Sequence, residues 1–196
     1  PVAAGARVVQ HLLSLSVQVL AAATAAATLF QAARTYGPRD HERRVWRLTG
    51  GAALVWAGGL LIYALREWFG QARSYPSPAD MLLVGAFLLL LAALAEEFRL
   101  VNPMLTTRQR LVLVGTGVLL WVVLIGGFLW PLLASPLDPL EKGLDLFYAS
   151  TIALLVALAL GPAMAFRGGA SGYVWLGVAV GVAGLTLAGL GFAYLT

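Results

Sequence analysis

The stretch ARSYPSPADMLLVGAFLLL, Ala72–Leu90, sets two serines, two prolines and an acid directly against ten residues that carry no charge. Polar punctuation followed at once by an apolar run is what a helix entering hydrocarbon requires. The rest of the chain repeats the pattern. Apolar blocks of about 18 residues or more, the length needed to cross a hydrocarbon core of roughly 30 Å, recur along the sequence. They predict six spans at about 10–33, 45–68, 78–98, 108–132, 139–166 and 172–196. The fifth is the least regular, because Gly161 and Pro162 should kink it or end it early.

Composition agrees. The 196 residues are 60% hydrophobic and 11% charged, with a mean hydropathy of +0.85, against about 25% charged residues in soluble domains. A secretory signal would be one short apolar stretch before a soluble body, whereas here the apolar blocks continue to the last residue. The expected fold class is therefore all-α integral membrane, a single transmembrane domain over 1–196 built as a bundle of six transmembrane helices. Cysteine is absent, which excludes disulfides, thiolate metal sites and thiol nucleophiles.

Basic residues near span ends are retained on the cytoplasmic side, which gives an orientation. Arg34, Arg39, Arg43, Arg44 and Arg47 lie in the first connection, Arg99, Arg108 and Arg110 in the third, and Arg167 in the fifth, nine in all. Arg7, Arg66, Arg73 and Lys142 lie on the other side. Loops 34–47, 99–110 and 167–171 are thus expected in the cytoplasm, with the N-terminus extracytoplasmic, in the cytoplasmic (inner) membrane. The net charge of +4 reflects this topology and does not point to nucleic acid. Six spans would leave both ends outside. Together with Pro1 in place of Met and the ending AYLT after an apolar block, that predicts a longer chain and a module of seven or more helices.

The middle of every predicted span lacks Asp, Glu, Lys, Arg and His. Ionisable groups within the membrane usually mark ion paths or proton relays, so a pump or an ion-coupled transporter is disfavoured. Arg66, Glu67, Glu96, Glu97 and Asp145 fall at span ends, where they are expected to reach water or headgroups. Trp68, Tyr75, Trp130, Tyr148 and Tyr194 on one side, and Tyr36, Trp46, Tyr173 and Trp175 on the other, suit interfacial anchoring.

His11, Ser14 and Gln18 share one face of the first helix. They could form the polar wall of a ligand pocket, or His11 could be an axial ligand to a pigment or haem; the simpler reading is an inter-helix hydrogen-bonding stripe. With only two histidines, two-His haem ligation and a conventional metal cluster are unsupported, and no cofactor is assigned. No nucleophile triad, phosphate loop or H-E-x-x-H motif is present, so no catalysis is expected. In the last span Gly177, Gly181, Gly184, Ala188 and Gly191 recur at spacings of 4, 3, 4 and 3. This small-residue face invites close helix approach, by a neighbouring span, a further helix or a second protomer in a homodimer.

The opening stretch reads first as a capped helix start. Ser77 is at the N-cap, Pro78 at the first helical position and Asp80 at the third, where its carboxyl can reach back to the N-cap N–H. Asp138, Pro139, Leu140 and Glu141 repeat this chemistry, and Thr106 with Gln109 makes a related cap. Tyr75 and Pro76 are left over. With Trp68, Phe69 and Asp80 they could floor a shallow outer-facing site.

The P-S-x-A-D run Pro76–Asp80, with TTRQRLVLV and DPLEKGLDLFYAS further on, resembles the multi-pass membrane sensory regions that precede diguanylate cyclase (GGDEF) and histidine kinase domains in bacteria. The similarity covers roughly Val45–Thr196. It departs from the pattern where Met81, Val84 and a lone Phe87 replace further aromatics, and where Ser150 and Thr151 follow Tyr148 in place of an acid. The resemblance implies an input module that passes a change in helix packing to a cytoplasmic output domain, which requires two packings that a stimulus favours unequally. Two other classes fit the same composition. One is an accessory subunit packed against partner subunits of a respiratory or photosynthetic complex, and the other is a transporter of an uncharged or lipidic substrate.

Overall fold

In lipid a backbone has no water to bond, so a chain of this composition must satisfy its N–H and C=O groups within helices. The computed structural model describes residues 2–70, 75–130, 134, 136, 138–167, 169, 172–182 and 184, the side chains of residues 2–11 and of Phe128 excepted. Among the described residues there is no strand. Helix α1 runs Val2–Arg34, α2 His41–Trp68, α3 Pro78–Val101, α4 Thr107–Val122 and α5 Pro139–Ala165. A shorter apolar helix, α6, covers Gly172–Val182. Among the described residues five helical segments are long and apolar enough to cross a membrane: Leu12–Arg34, His41–Trp68, Pro78–Met104, Thr107–Gly127 and Pro139–Ala165. The chain is thus an all-α, multi-pass membrane protein, and helices long and apolar enough to span stand at five of the six expected positions, the fourth ending at Gly127 rather than 132. Most of the sixth, 172–196, lies outside the described residues.

The chain forms two compact units, Pro1–Ala93 and Leu94–Thr196. In the first, α1 and α2 pack as a hairpin. Their connection is tightened by Asp40, whose carboxylate accepts the Gly37 N–H at 2.6 Å and whose own N–H donates to the Gly37 carbonyl. Helix α2 is the centre of this unit because its glycines face both ways. A Cβ added at Gly50 would lie 3.3 Å from Leu29 and Phe30 of α1, and one at Gly59 would lie 2.9 Å from Leu83 and 3.3 Å from the Ala79 carbonyl of α3. Trp56 meets Phe87 edge-on, with centroids 5.3 Å apart. Within lipid this close fit, rather than water exclusion, holds helices together.

In the second unit, α3 ends in a single 3-10 turn, Asn102–Met104, before α4. Thr106 and Gln109 form the expected reciprocal cap: the Gln109 N–H donates to the Thr106 hydroxyl, and the Thr106 N–H donates to the Gln109 side chain at 2.8 Å. Helix α4 continues as a wider π-helical segment, Val123–Leu129. It packs against α5 at Gly117, where an added Cβ would lie 3.3 Å from Ala157. Further along, the Trp121 indole N–H donates to Ser150 at 3.1 Å. Helix α5 opens on the expected cap, Asp138 accepting the Leu140 N–H at 2.8 Å with Pro139 following. It does not end at Pro162, where an early stop was one expectation. It runs to Ala165, and the Phe166 N–H donates to the Pro162 carbonyl at 2.9 Å. Gly161 explains the tolerance: the Phe98 ring occupies the space a Cβ would need, at 2.6 Å, so packing offsets the one backbone bond that proline forgoes.

Candidate functional site

The polar chemistry of the first unit converges on the start of α3. Asp80 is only 3% exposed and Ser77 4%. A buried carboxyl needs hydrogen-bond partners, and Asp80 has them on both oxygens. The Tyr63 hydroxyl of α2 donates to Oδ1 at 2.5 Å. The Ser77 N–H donates to Oδ2 at 2.7 Å and the Ser77 hydroxyl to the same oxygen at 2.8 Å.

The local sequence dictates this geometry step by step. Pro78 starts the helix without an orphaned N–H, which places Asp80 at the third position with its carboxyl turned back to Ser77. Ala79 is fully buried and Gly59 lacks a side chain, so α2 and α3 close to van der Waals contact there. Tyr63 lies four residues beyond Gly59 on the same face of α2, at the level of Asp80. The reach of Asp80 back to the N-cap N–H is as the sequence predicts. The Ser77 hydroxyl, expected to accept from the first turn, instead donates a hydrogen bond to Asp80.

Tyr63 is the residue that sequence reasoning passed over. A phenol in LLIYALREW was legible as a polar group needing a partner, but its distance of seventeen residues from Asp80 concealed the pairing. The remaining candidates differ in exposure. Trp68 is 70% exposed, and Phe69 and Tyr75 are exposed too, whereas Asp80 is buried. The Tyr75–Pro76 peptide bond is cis. Ser14 and Gln18 are exposed, and the Gln18 amide donates to the Ser14 hydroxyl at 3.2 Å, so the two satisfy each other along α1. The His11 side chain lies outside the described residues. Gly177, Gly181 and Gly184 lie on or just beyond α6, where an added Cβ would meet nothing within 4 Å among the described residues; Ala188 and Gly191 lie outside the described residues. Glu97, expected at a solvated end, is instead 7% exposed, because the last turns of α3 are packed rather than free. Trp175, expected as an interfacial anchor, is likewise buried.

Each unit also contains a cavity. An apolar one of about 430 Å³ in the second unit is lined by Phe98, Leu113, Gly117, Trp121, Ser150 and Ala157 among others. Its polar atoms on Trp121 and Ser150 bond each other and offer a ligand little directional chemistry. The other, of about 460 Å³ in the first unit, is lined by Phe30, Pro38, Arg43, Arg44, Arg47 and Leu48. Among the described residues no three His, Cys, Asp or Glu side chains are grouped to hold a metal ion. Compared with protein-family models, curated proteins and solved structures, the chain matches none, so any functional reading rests on the Asp80–Tyr63–Ser77 cluster and the sequence pattern around it.

Proposed function

We propose that this chain is a membrane-embedded sensory or signal-input module, non-enzymatic in itself, coupling a membrane or extracytoplasmic stimulus to a cytoplasmic output domain. The observation that supports it is the hydrogen bond from Tyr63 to Asp80. It makes the acid of the P-S-x-A-D run a latch between two membrane helices as well as a cap. A polar latch in an apolar seam has a made and an unmade form, and a stimulus that stabilises one over the other shifts helix packing. In this reading the module has six spans of a seven-or-more-helix whole in the inner membrane. Its N-terminus is extracytoplasmic and loops 34–47, 99–110 and 167–171 face the cytoplasm.

Reading the coding sequence beyond Thr196 tests the proposal most directly. A further span followed by a cyclase or kinase domain is the expected result. A stop codon at once, with stable partner subunits co-purifying, would replace it with the accessory-subunit reading. In the full-length protein, Tyr63→Phe should shift basal output while leaving the membrane level of the chain unchanged. An unaltered output would remove the latch from the mechanism.

A further inference from the structure

The cavity lined by three arginines lies where α1 ends and α2 begins. Arg43 and Arg47 are one turn apart on α2, so their guanidinium groups project from one face. Arg44 lines the same cavity. The floor is apolar: Phe30, one turn before the end of α1, and Leu48, one turn deeper than Arg44. The Phe30 ring is held in place by Gly50, whose missing side chain leaves room for it at 3.3 Å. The arginine charge of this connection exceeds the acidic charge. Between Arg34 and Arg47 five arginines face two acids, Asp40 and Glu42. Asp40 is engaged by the Gly37 N–H, and among the described residues no hydrogen bond or ion pair engages Arg43 or Arg47.

A pair of guanidinium forks above an aromatic and aliphatic floor, at the end of two membrane helices, matches one ligand chemistry. It is a phosphodiester with a hydrocarbon chain attached. We infer that this cavity is a headgroup site for an anionic phospholipid, its phosphate held by Arg43 and Arg47 and the start of its acyl chain lying against Phe30 and Leu48. Guanidinium groups suit the task because each can donate two parallel hydrogen bonds to phosphate oxygens. A zwitterionic lipid is a poorer fit, since its own ammonium group would face the arginine rim. The inference is independent of the sensory reading.

The test uses the purified chain in mixed micelles of phosphatidylglycerol and phosphatidylcholine in equal amounts, with retained lipid counted by native mass spectrometry. The chain should retain phosphatidylglycerol selectively, and the selectivity should fall as salt is raised. Each arginine near an anionic surface contributes about fivefold in affinity, so the double variant Arg43→Gln/Arg47→Gln should lose roughly 30-fold. Arg108→Gln/Arg110→Gln, which removes two arginines from a different connection, should leave retention unchanged. Equal retention of the two lipids by the unmodified chain would overturn the inference without recourse to any variant, as would an equal loss in both double variants. Inorganic phosphate provides the remaining arm. If it binds the chain in lipid-free detergent and displaces phosphatidylglycerol at equal concentration, the site is for a soluble anion and not a lipid.

Discussion

Glycine recurs in both α2 and α6, with different consequences in the two helices. On α2, Gly50 and Gly59 are the points where α1 and α3 approach, and a methyl group at either would press against a neighbour at 3.3 Å or less. On α6 and just beyond it, Gly177, Gly181 and Gly184 have the more regular spacing, yet an added Cβ there meets nothing within 4 Å among the described residues. A small-residue face permits close packing but does not guarantee a partner. The α2 glycines are useful because Leu83, Ala79 and Phe30 are positioned to fill the space they leave. Within the described residues the tight contacts fall on α2, while Ala188 and Gly191 of the α6 face lie outside them.

The contrast can be broken most severely at the end of the α2–α3 seam. Asp80→Ala would leave the Tyr63 hydroxyl and both Ser77 donors without their acceptor in a buried place, and should destabilise the chain by about 3 kcal/mol. Equilibrium unfolding in mixed detergent would measure it, and Asp80→Asn, which keeps an acceptor oxygen, should recover part of the loss. Next comes Gly59→Leu. Its side chain would meet the Ala79 carbonyl and Leu83, and overpacking of this kind should cost about 2 kcal/mol. A stability equal to that of the unmodified chain would show that α2 and α3 do not close at this point.

Smaller effects sharpen the comparison. Tyr63→Phe removes a single inter-helix hydrogen bond and should cost about 1 kcal/mol in a membrane setting. Combined with Asp80→Asn in a double-mutant cycle, it should show non-additivity, since the two side chains share one bond. Least of all, Gly181→Leu should change the stability of the isolated chain by under about 0.5 kcal/mol, because among the described residues an added Cβ there meets nothing within 4 Å. If the same substitution alters assembly or output in the full-length protein, the face serves a partner or the sliding element of a sensor. If it alters neither, that role is excluded.

Much of the architecture was legible in the sequence because lipid imposes a strict rule. Long uncharged runs must be helical, and their ends must carry the groups that satisfy the first and last turns. Hence the starts of α3, α4 and α5 at Pro78, Thr107 and Pro139 were readable from SPAD, TTRQ and DPLE. The candidate site was half legible. The reach of Asp80 to Ser77 is local and follows from the cap, whereas the Tyr63 partner lies a whole helix and connection away. Glu97 misled for the related reason that nearness to a span end says nothing about what packs over it.

What the sequence determined by itself is therefore the all-α membrane class, the caps, and the concentration of arginine in the first connection, all set by interactions within a few residues or with solvent. What only the tertiary structure decided is which small residues are filled, that Tyr63 closes on Asp80, and that Arg43, Arg44 and Arg47 surround a cavity floored by Phe30. Each of those depends on which face of one helix meets another, and that is chosen by shape complementarity across the whole seam.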